Sequence, residues 1–378
     1  MEAQRKSFFG ALATPLASIF GSGFLVIIPI LAATTGIWSV VAMLLITAIA
    51  FCIGGVIRFN IRYAEPALKK PEIHKLTVTF ERIADIALVF AYIISISLYL
   101  RILASFLLVP FDADIEFNEQ VITTTIIAFI ILFGILKGLK SIENLEVWSL
   151  GLTMIIIFLI LLSFGIYDID MLANHSLQWP EAIDLAPWNI ATILAGTLIV
   201  VQGFETSRYL GEEYNSNTRI RSSRASQLIS MIVYLLFVAL ATPLMHYLHS
   251  PVKSNDLIIL SGKVIFFLPM MVIFAAILSQ FSAAVADTIA GVGNLFEESK
   301  SKISINIAYL IIGVSAVALT WSISTFQLVA FASRGFALYY LLQCFVALSV
   351  CHKVSQKIMI SLVASILLFV TLFAVPIG

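Results

Sequence analysis

About eleven runs of twenty or so apolar residues divide this chain, each long enough to cross the ~30 Å hydrocarbon core of a bilayer as a helix. They fall near 8–34, 36–58, 83–109, 120–136, 147–166, 188–210, 225–248, 264–291, 303–322, 326–350 and 357–376. With 60% of 378 residues hydrophobic and only 12% charged, the chain is far from soluble proteins, in which about a quarter of residues carry charge. The expected fold is an all-α polytopic membrane protein with about 11 transmembrane helices. The N-terminus lacks a short apolar core followed by a small-residue cleavage site, so its first run is expected to stay as a span. Zero net charge and no basic tail argue against nucleic-acid binding. Cys52, Cys344 and Cys351 lie in or beside apolar runs, at spacings that suit neither zinc nor a disulfide framework.

Lysines and arginines set the expected orientation. With the N-terminus cytoplasmic, the inner segments carry Arg5, Lys6, Arg58, Arg62, Lys69, Lys70, Lys75, Arg82, Lys137, Lys140, Arg208, Arg219, Arg221, Arg224, Lys300, Lys302, Lys353 and Lys357, against Lys253 and Lys263 outside. The acidic residues Asp112, Asp114, Glu116, Glu119, Asp168, Asp170, Glu181 and Asp184 fall on the outer side. An integral protein of a bacterial inner membrane is expected, its C-terminus outside.

Two spans are interrupted. Gly21-Ser22-Gly23 breaks the first, and Gln202-Gly203-Phe204-Glu205 breaks the sixth, about 182 positions later. The same offset carries span three onto span eight and span four onto span nine. Five spans per half is an odd number, so the halves run in opposite senses: a five-plus-five inverted repeat with broken helices 1 and 6. The expected division is 1–166 for the first repeat, 167–187 for an outer loop, 188–350 for the second repeat and 351–378 for an extra span 11. Broken helices expose backbone groups at membrane depth, which a ligand can satisfy. N–H groups after Gly21, Ser22 and Gly23 suit a carboxylate, and carbonyls near Gln202 and Gly203 suit an ammonium, a pairing that fits an amino acid or related small amine. Phe204 would line or cap that pocket. Close helix packing explains glycine pairs equally well.

The sequence here resembles the amino acid-polyamine-organocation permeases. Gly21-Ser22-Gly23 followed by Pro29, Trp38, Tyr63-Ala64-Glu65, Gly203-Phe204-Glu205, Glu212-Glu213 and Asn217-Thr218-Arg219 carry the likeness, over spans one, two, six and eight. It implies a secondary transporter working by alternating access, with substrate held between broken helices 1 and 6. The chain departs from the pattern: Pro29 stands one residue late, Thr218 replaces a proline, and a glycine pair is missing from 71–80. A divergent branch is indicated.

Four ionisable residues fall well inside spans: Arg101, Glu205, Asp287 and Arg334. Each costs roughly 2.5–3.5 kcal/mol at a span centre unless it faces a cavity or a partner. Glu205 shares a helical face with Arg208 and Glu212, so it is either a proton-coupling carboxyl or an ion-pair partner of Arg208. In the resembling family some antiporters carry a glutamate here that is implicated in proton coupling. Gln280, Asp287 and Asn294 form one polar stripe on span eight, and Asp287 is a candidate cation ligand. Sodium-coupled relatives carry paired hydroxyls where Ala283 and Ala284 stand, which favours a coupling proton, or exchange, over sodium. Arg101 shares a face with Ser97 and Ser105, and with Arg334 it would either bind an acidic substrate group or snorkel towards outer carboxylates. The histidines lie in loops or at span ends, so no metal and no cofactor is expected, and no nucleophile-base pair suggests an enzyme. The rival readings are an inorganic-ion transporter on the same scaffold and a non-transporting membrane sensor or partner subunit.

Overall fold

In hydrocarbon every backbone N–H and C=O must find its partner within the protein, so long runs of Leu, Ile, Val and Phe fold as helices. The computed structural model describes residues 8–21, 23–70, 73–139 and 144–377, with side chains from Trp148 onward in the last stretch. Its helices are α1 (Phe8–Gly21), α2 (Ile27–Thr34), α3 (Ser39–Phe59), α4 (Glu65–Leu68), α5 (Lys75–Leu108), α6 (Glu116–Lys137), α7 (Asn144–Ala173), α8 (Pro187–Ala195), α9 (Ser216–Ala241), α10 (Leu257–Val264), α11 (Leu268–Glu298), α12 (Ile305–Ser322), α13 (Thr325–Val350) and α14 (Val354–Phe373). Among the described residues, nine stretches are long and apolar enough to span a membrane unbroken. Two further crossings are made in pieces, α1 with α2, and α8 with the 3-10 segments Leu198–Val201 and Phe204–Glu212. Eleven crossings result. The end where α1 begins is called proximal below, the opposite end distal.

At the centre stands α5, with 83% of its apolar window buried against 28% for the peripheral α14. It packs on both α11 and α13. α3 packs on α9, α6 on α12 and α1 on the broken sixth crossing. Large apolar side chains such as Phe90, Leu132, Phe158, Phe274 and Leu362 point outward, as a lipid-facing surface demands.

Several helices outrun the apolar windows that announce them. α5 starts at Lys75 rather than near 83, and α9 at Ser216 rather than near 225. Their polar opening turns, the first two of α5 and the first of α9, carry Glu81 and Arg219, which pair with other helices instead of ending their own. A π-helical turn, Asn60–Ala64, prolongs α3 into α4. The run near 264–291 is α11, and a separate helix, α10, precedes it, because Ile265 is extended and Pro269 opens the second helix.

The two interruptions touch. Gly203 has φ +124°, and a Cβ there would lie 2.6 Å from Ser18 Oγ and 2.7 Å from Ile19 N. A Cβ on Gly23 would fall 2.7 Å from Val200 Cα. Glycine is thus required twice at one junction, for backbone conformation and for close approach. The exposed backbone groups of the breaks are met by side chains from other helices. Gln280 Nε2 donates to Gly21 O at 2.8 Å. Ser333 Oγ donates to Gly196 O at 2.7 Å and accepts from Ile199 N at 3.0 Å. Tyr234 hydroxyl donates to Val200 O at 2.7 Å and lies 3.2 Å from Ile19 O, so one side chain ties both broken spans together.

An ionic network closes the bundle beside the proximal end. Arg219 is bidentate on Glu65, at 3.0 and 2.6 Å, and also donates to Arg208 O at 2.9 Å. Arg208 reaches Glu81 at 2.6 Å and Glu65 at 3.8 Å. Gln343 Nε2 donates to Glu81 Oε2 at 3.2 Å, and Gln343 Oε1 accepts from Asn60 Nδ2 at 2.7 Å. Thr218, where the resembling family has proline, donates its backbone N–H to Asn215 Oδ1 at 2.9 Å, a helix cap that proline cannot make. At the distal end, Asp114 accepts from Lys253 Nζ at 3.0 Å and Asn255 Nδ2 at 3.3 Å. Burial there pushes the Asp114 carboxyl up, but the Lys253 and Asn255 hydrogen bonds and the Lys253 charge bring it below the usual value.

Gly203→Ala is expected to cost about 1–3 kcal/mol through the imposed φ and the clash with α1. Gly293→Ala, with nothing within 4 Å of its added methyl, is expected to be neutral or stabilising. Thermal unfolding of the purified variants checks this, and equal melting temperatures would contradict it. Removing Glu81 leaves Arg208 with only the longer contact to Glu65, so Glu81→Ala is expected to cost about 3 kcal/mol. A double-mutant cycle with Arg208→Ala should return a coupling above ~1 kcal/mol, and additive losses would show that the pair is not linked.

Candidate functional site

A cavity of about 320 Å³ starts at the end of α1 and runs to the proximal end between α1, α5, α7, α11 and the 3-10 segment Phe204–Glu212. Phe20, Gly21, Tyr92, Tyr99, Ser279 and Asp287 line its deep part, and the exposed Tyr209 and Glu213 stand at its mouth. Its volume is at the lower edge of the ~300–1,000 Å³ usual for small-molecule sites. Aromatic layers back it on the distal side. Phe20 stacks on Tyr234 with centroids 5.8 Å apart and Phe24 on Phe237 at 4.1 Å, while Phe204 stacks on Tyr340 at 5.2 Å beside the break of the sixth crossing.

Two polar stripes at helical spacing, on α11 and α5, border the cavity. On α11, Gln280 reaches the α1 break and, two turns on, Asp287 accepts a hydrogen bond from Ser95 of α5. On α5, Tyr92, Ser95 and Tyr99 form the matching stripe, at steps of three and four. Tyr99 hydroxyl accepts from Gln202 Nε2 at 3.3 Å, which links the α5 stripe to the sixth crossing.

Glu205 stands behind this cavity, 1% exposed. Its Oε2 accepts from Gly203 N at 2.9 Å and from Tyr340 hydroxyl at 2.6 Å. The carboxylate therefore closes the helix break on itself and holds the segment against α13. Arg208 turns away, to Glu81 and Glu65. The one-face ladder of Glu205, Arg208 and Glu212 expected from helical spacing does not join Glu205 to Arg208, because Glu205 is taken by Gly203 N and Tyr340 and Arg208 by Glu81 and Glu65.

The candidate residues separate into groups. Gly21 and Asp287 line the cavity; Gly23, Gln202, Gly203, Phe204 and Glu205 are packed around the junction without lining it. Ser22 lies outside the described residues. Arg101, 2% exposed, is 3.4 Å from both Glu116 and Glu119 and donates to Thr320 O at 3.0 Å. Its companions face the same way: Ser97 donates to Ala316 O at 2.9 Å, and Ser105 meets Ser254 at 3.2 Å. That stripe looks at α12 and the distal loop instead of the cavity. Arg334 donates to Leu372 O at 2.5 Å and ties down the last turn of α14. Tyr92, Ser95, Tyr99 and Tyr340 were not singled out from sequence. The tyrosine stripe shows the same periodicity that revealed Gln280 and Asp287, but hydroxyl-bearing aromatics do not stand out in apolar runs as charges do.

Comparison with known proteins agrees with this architecture. A family described as APC superfamily transporter matches residues 1–375. An uncharacterized protein of Aquifex aeolicus (strain VF5) is 38% identical over 381 residues, covering 98% of this chain and 91% of that protein. Two broken crossings that meet at glycines, a cavity beginning at the first break and a match along nearly its whole length agree in one assignment: the chain belongs to this APC superfamily transporter family.

Proposed function

We propose that the protein is a secondary active transporter of an amino acid or related small amine, working by alternating access. The observation that carries this reading is the asymmetry of the site: a cavity leads from the helix junction to the proximal end, while the Phe20–Tyr234 and Phe24–Phe237 stacks back it on the distal side. That is how one half-cycle of alternating access looks when the inner path is open. The lysine and arginine bias puts the proximal end in the cytoplasm and the C-terminus outside, in a bacterial inner membrane. Residues 1–166 and 188–350 are the two repeats whose relative rocking would open the distal path, with 167–187 between them and 351–378 as an added span.

Proton coupling or exchange is favoured through Glu205. Ionised, its carboxylate makes charge-assisted hydrogen bonds to Gly203 N and Tyr340 hydroxyl. Protonation weakens both and loosens the break from α13, so a proton and a conformational change share one group. Thr288 of α11 hydrogen-bonds within its own helix, to Ala284 O at 2.7 Å, which gives no support to sodium binding there.

Purified protein in liposomes tests this. Uptake by wild type should rise under an imposed pH gradient. Glu205→Gln should lose that response while still exchanging substrate at equal pH on both sides. Proton-driven uptake equal to wild type in Glu205→Gln would remove Glu205 from the coupling.

A further inference from the structure

Inside the bundle Arg101, Arg208 and Arg219 each meet a carboxylate. Arg58, near the proximal end of α3 and 7% exposed, pairs with none among the described residues. Its Nη1 donates to Gln227 Oε1 of α9 and its Nη2 to Phe51 O at 3.2 Å, with the guanidinium 4.9 Å from the centre of the Phe51 ring. All of these partners are neutral. Gln227 is itself fixed, since its Nε2 donates to Ala50 O at 2.8 Å, and Gly54 leaves it room. Phe51 stands seven residues up the helix, about 10 Å towards the bilayer interior at ~1.5 Å per residue. An arginine at a span end ordinarily extends towards water, and this one is folded back into the apolar layer. A positive charge held there without a counter-charge is costly, so the position calls for an anion.

Gly55 opens a way to it from the lipid side. That residue is part-exposed, and a Cβ added there would meet only Arg58 Nη2, at 3.9 Å. Cys52, one turn away on α3, is exposed on the same face. On α9 the exposed Arg224 stands one turn before Gln227, and its charge opposes that of Arg58. Arg221, also exposed, lies one turn further towards the proximal end, and neither pairs with a carboxylate among the described residues. Like charges gathered at one notch repel one another until an anion joins them. Towards the bilayer interior the Arg224 stripe turns apolar, with Leu228, Ile232 and Leu236 exposed at steps of four. An anion at the arginines with hydrocarbon along that stripe is the layout of a phospholipid.

The geometry points to a binding site for an anionic phospholipid of the proximal leaflet at the seam of α3 and α9, its phosphate held by Arg58 and Arg224 through the notch at Gly55. Guanidinium groups suit this ligand because their paired N–H groups match two phosphate oxygens at once. Since no carboxylate among the described residues pairs with these arginines, nothing there receives the ammonium of a zwitterionic headgroup, and lipids of net negative charge are selected. α3 and α9 come from the two proposed repeats, so a lipid at their seam bridges them. The site is independent of what the central cavity carries.

The test follows thermal unfolding of the delipidated full chain in detergent against added phosphatidylglycerol, phosphatidylcholine with the same acyl chains, or inorganic phosphate. Phosphatidylglycerol should raise the melting temperature saturably, with a half-saturating amount roughly tenfold or more below that of phosphatidylcholine. Inorganic phosphate should leave it unchanged. Arg58→Gln should raise the half-saturating amount of phosphatidylglycerol about tenfold. Gly55→Leu, which fills the notch and keeps the arginine, should do the same, whereas Lys357→Gln, at an exposed base of α14, should not. If Arg58→Gln does not fold, Gly55→Leu and Arg224→Gln carry the test. Equal stabilisation by phosphatidylcholine, or stabilisation by inorganic phosphate alone, would overturn the lipid site. An unshifted phosphatidylglycerol titration in folded Gly55→Leu and Arg224→Gln, or no stabilisation of wild type, would overturn it as well.

Discussion

A helix broken inside a membrane leaves backbone N–H and C=O groups that neither water nor lipid can satisfy, and this structure is arranged around meeting that demand. Gln280, Ser333 and Tyr234 each come from a different helix and each reaches a carbonyl at one of the two breaks. Glu205 meets it from within, taking Gly203 N–H for its own carboxylate. Because the satisfying groups belong to α11, α13 and α9, the breaks fix how those helices pack. Gly23 and Gly203 then let the two interrupted crossings approach to van der Waals contact.

This arrangement separates two tasks that look like one in the primary structure. The junction itself is dense, with Phe204, Gly203 and Gln202 buried and aromatic rings stacked around it. Open volume begins one step away, beyond Gly21, where α5 and α11 face each other. Movement at the junction would therefore be felt in the cavity through Gln280 and Gln202, which touch both. The ion network of Arg208, Glu81, Glu65 and Arg219 fastens the far side of the same 3-10 segment to α4, α5 and α9. Any cycle that tilts the segment must break or carry these pairs with it.

Much of the architecture can be read directly from residue order, and the reasons for the exceptions are physical. Apolar length reveals eleven crossings, and glycine interruptions identify the two broken ones, because bilayer thickness and unpaired backbone leave strong signatures. Helix ends are hidden, since Glu81 and Arg219 are charged yet stay helical by pairing across the bundle. The Tyr63-Ala64-Glu65 and Asn217-Thr218-Arg219 stretches stand out separately, but only the fold shows that Glu65 and Arg219 grip one another. On α5 the sequence holds two polar stripes on roughly opposite faces, and the charged one, Ser97, Arg101 and Ser105, turns to α12 while the tyrosine stripe takes the cavity. Periodicity marks a face and cannot say what it faces. Arg208 likewise leaves Glu205, three residues away, for Glu81 and Glu65 on other helices, which spacing along one segment would not foretell.

Alternate exposure of the cavity wall is the central claim, and side-dependent chemical labelling tests it most directly. In a protein with Cys52, Cys344 and Cys351 replaced by serine, Ala286→Cys places one thiol on the cavity wall. A membrane-impermeant thiol reagent should reach it from the proximal face in resting vesicles, and from the distal face once substrate drives turnover. Labelling confined to the proximal face, with and without substrate, would contradict the account.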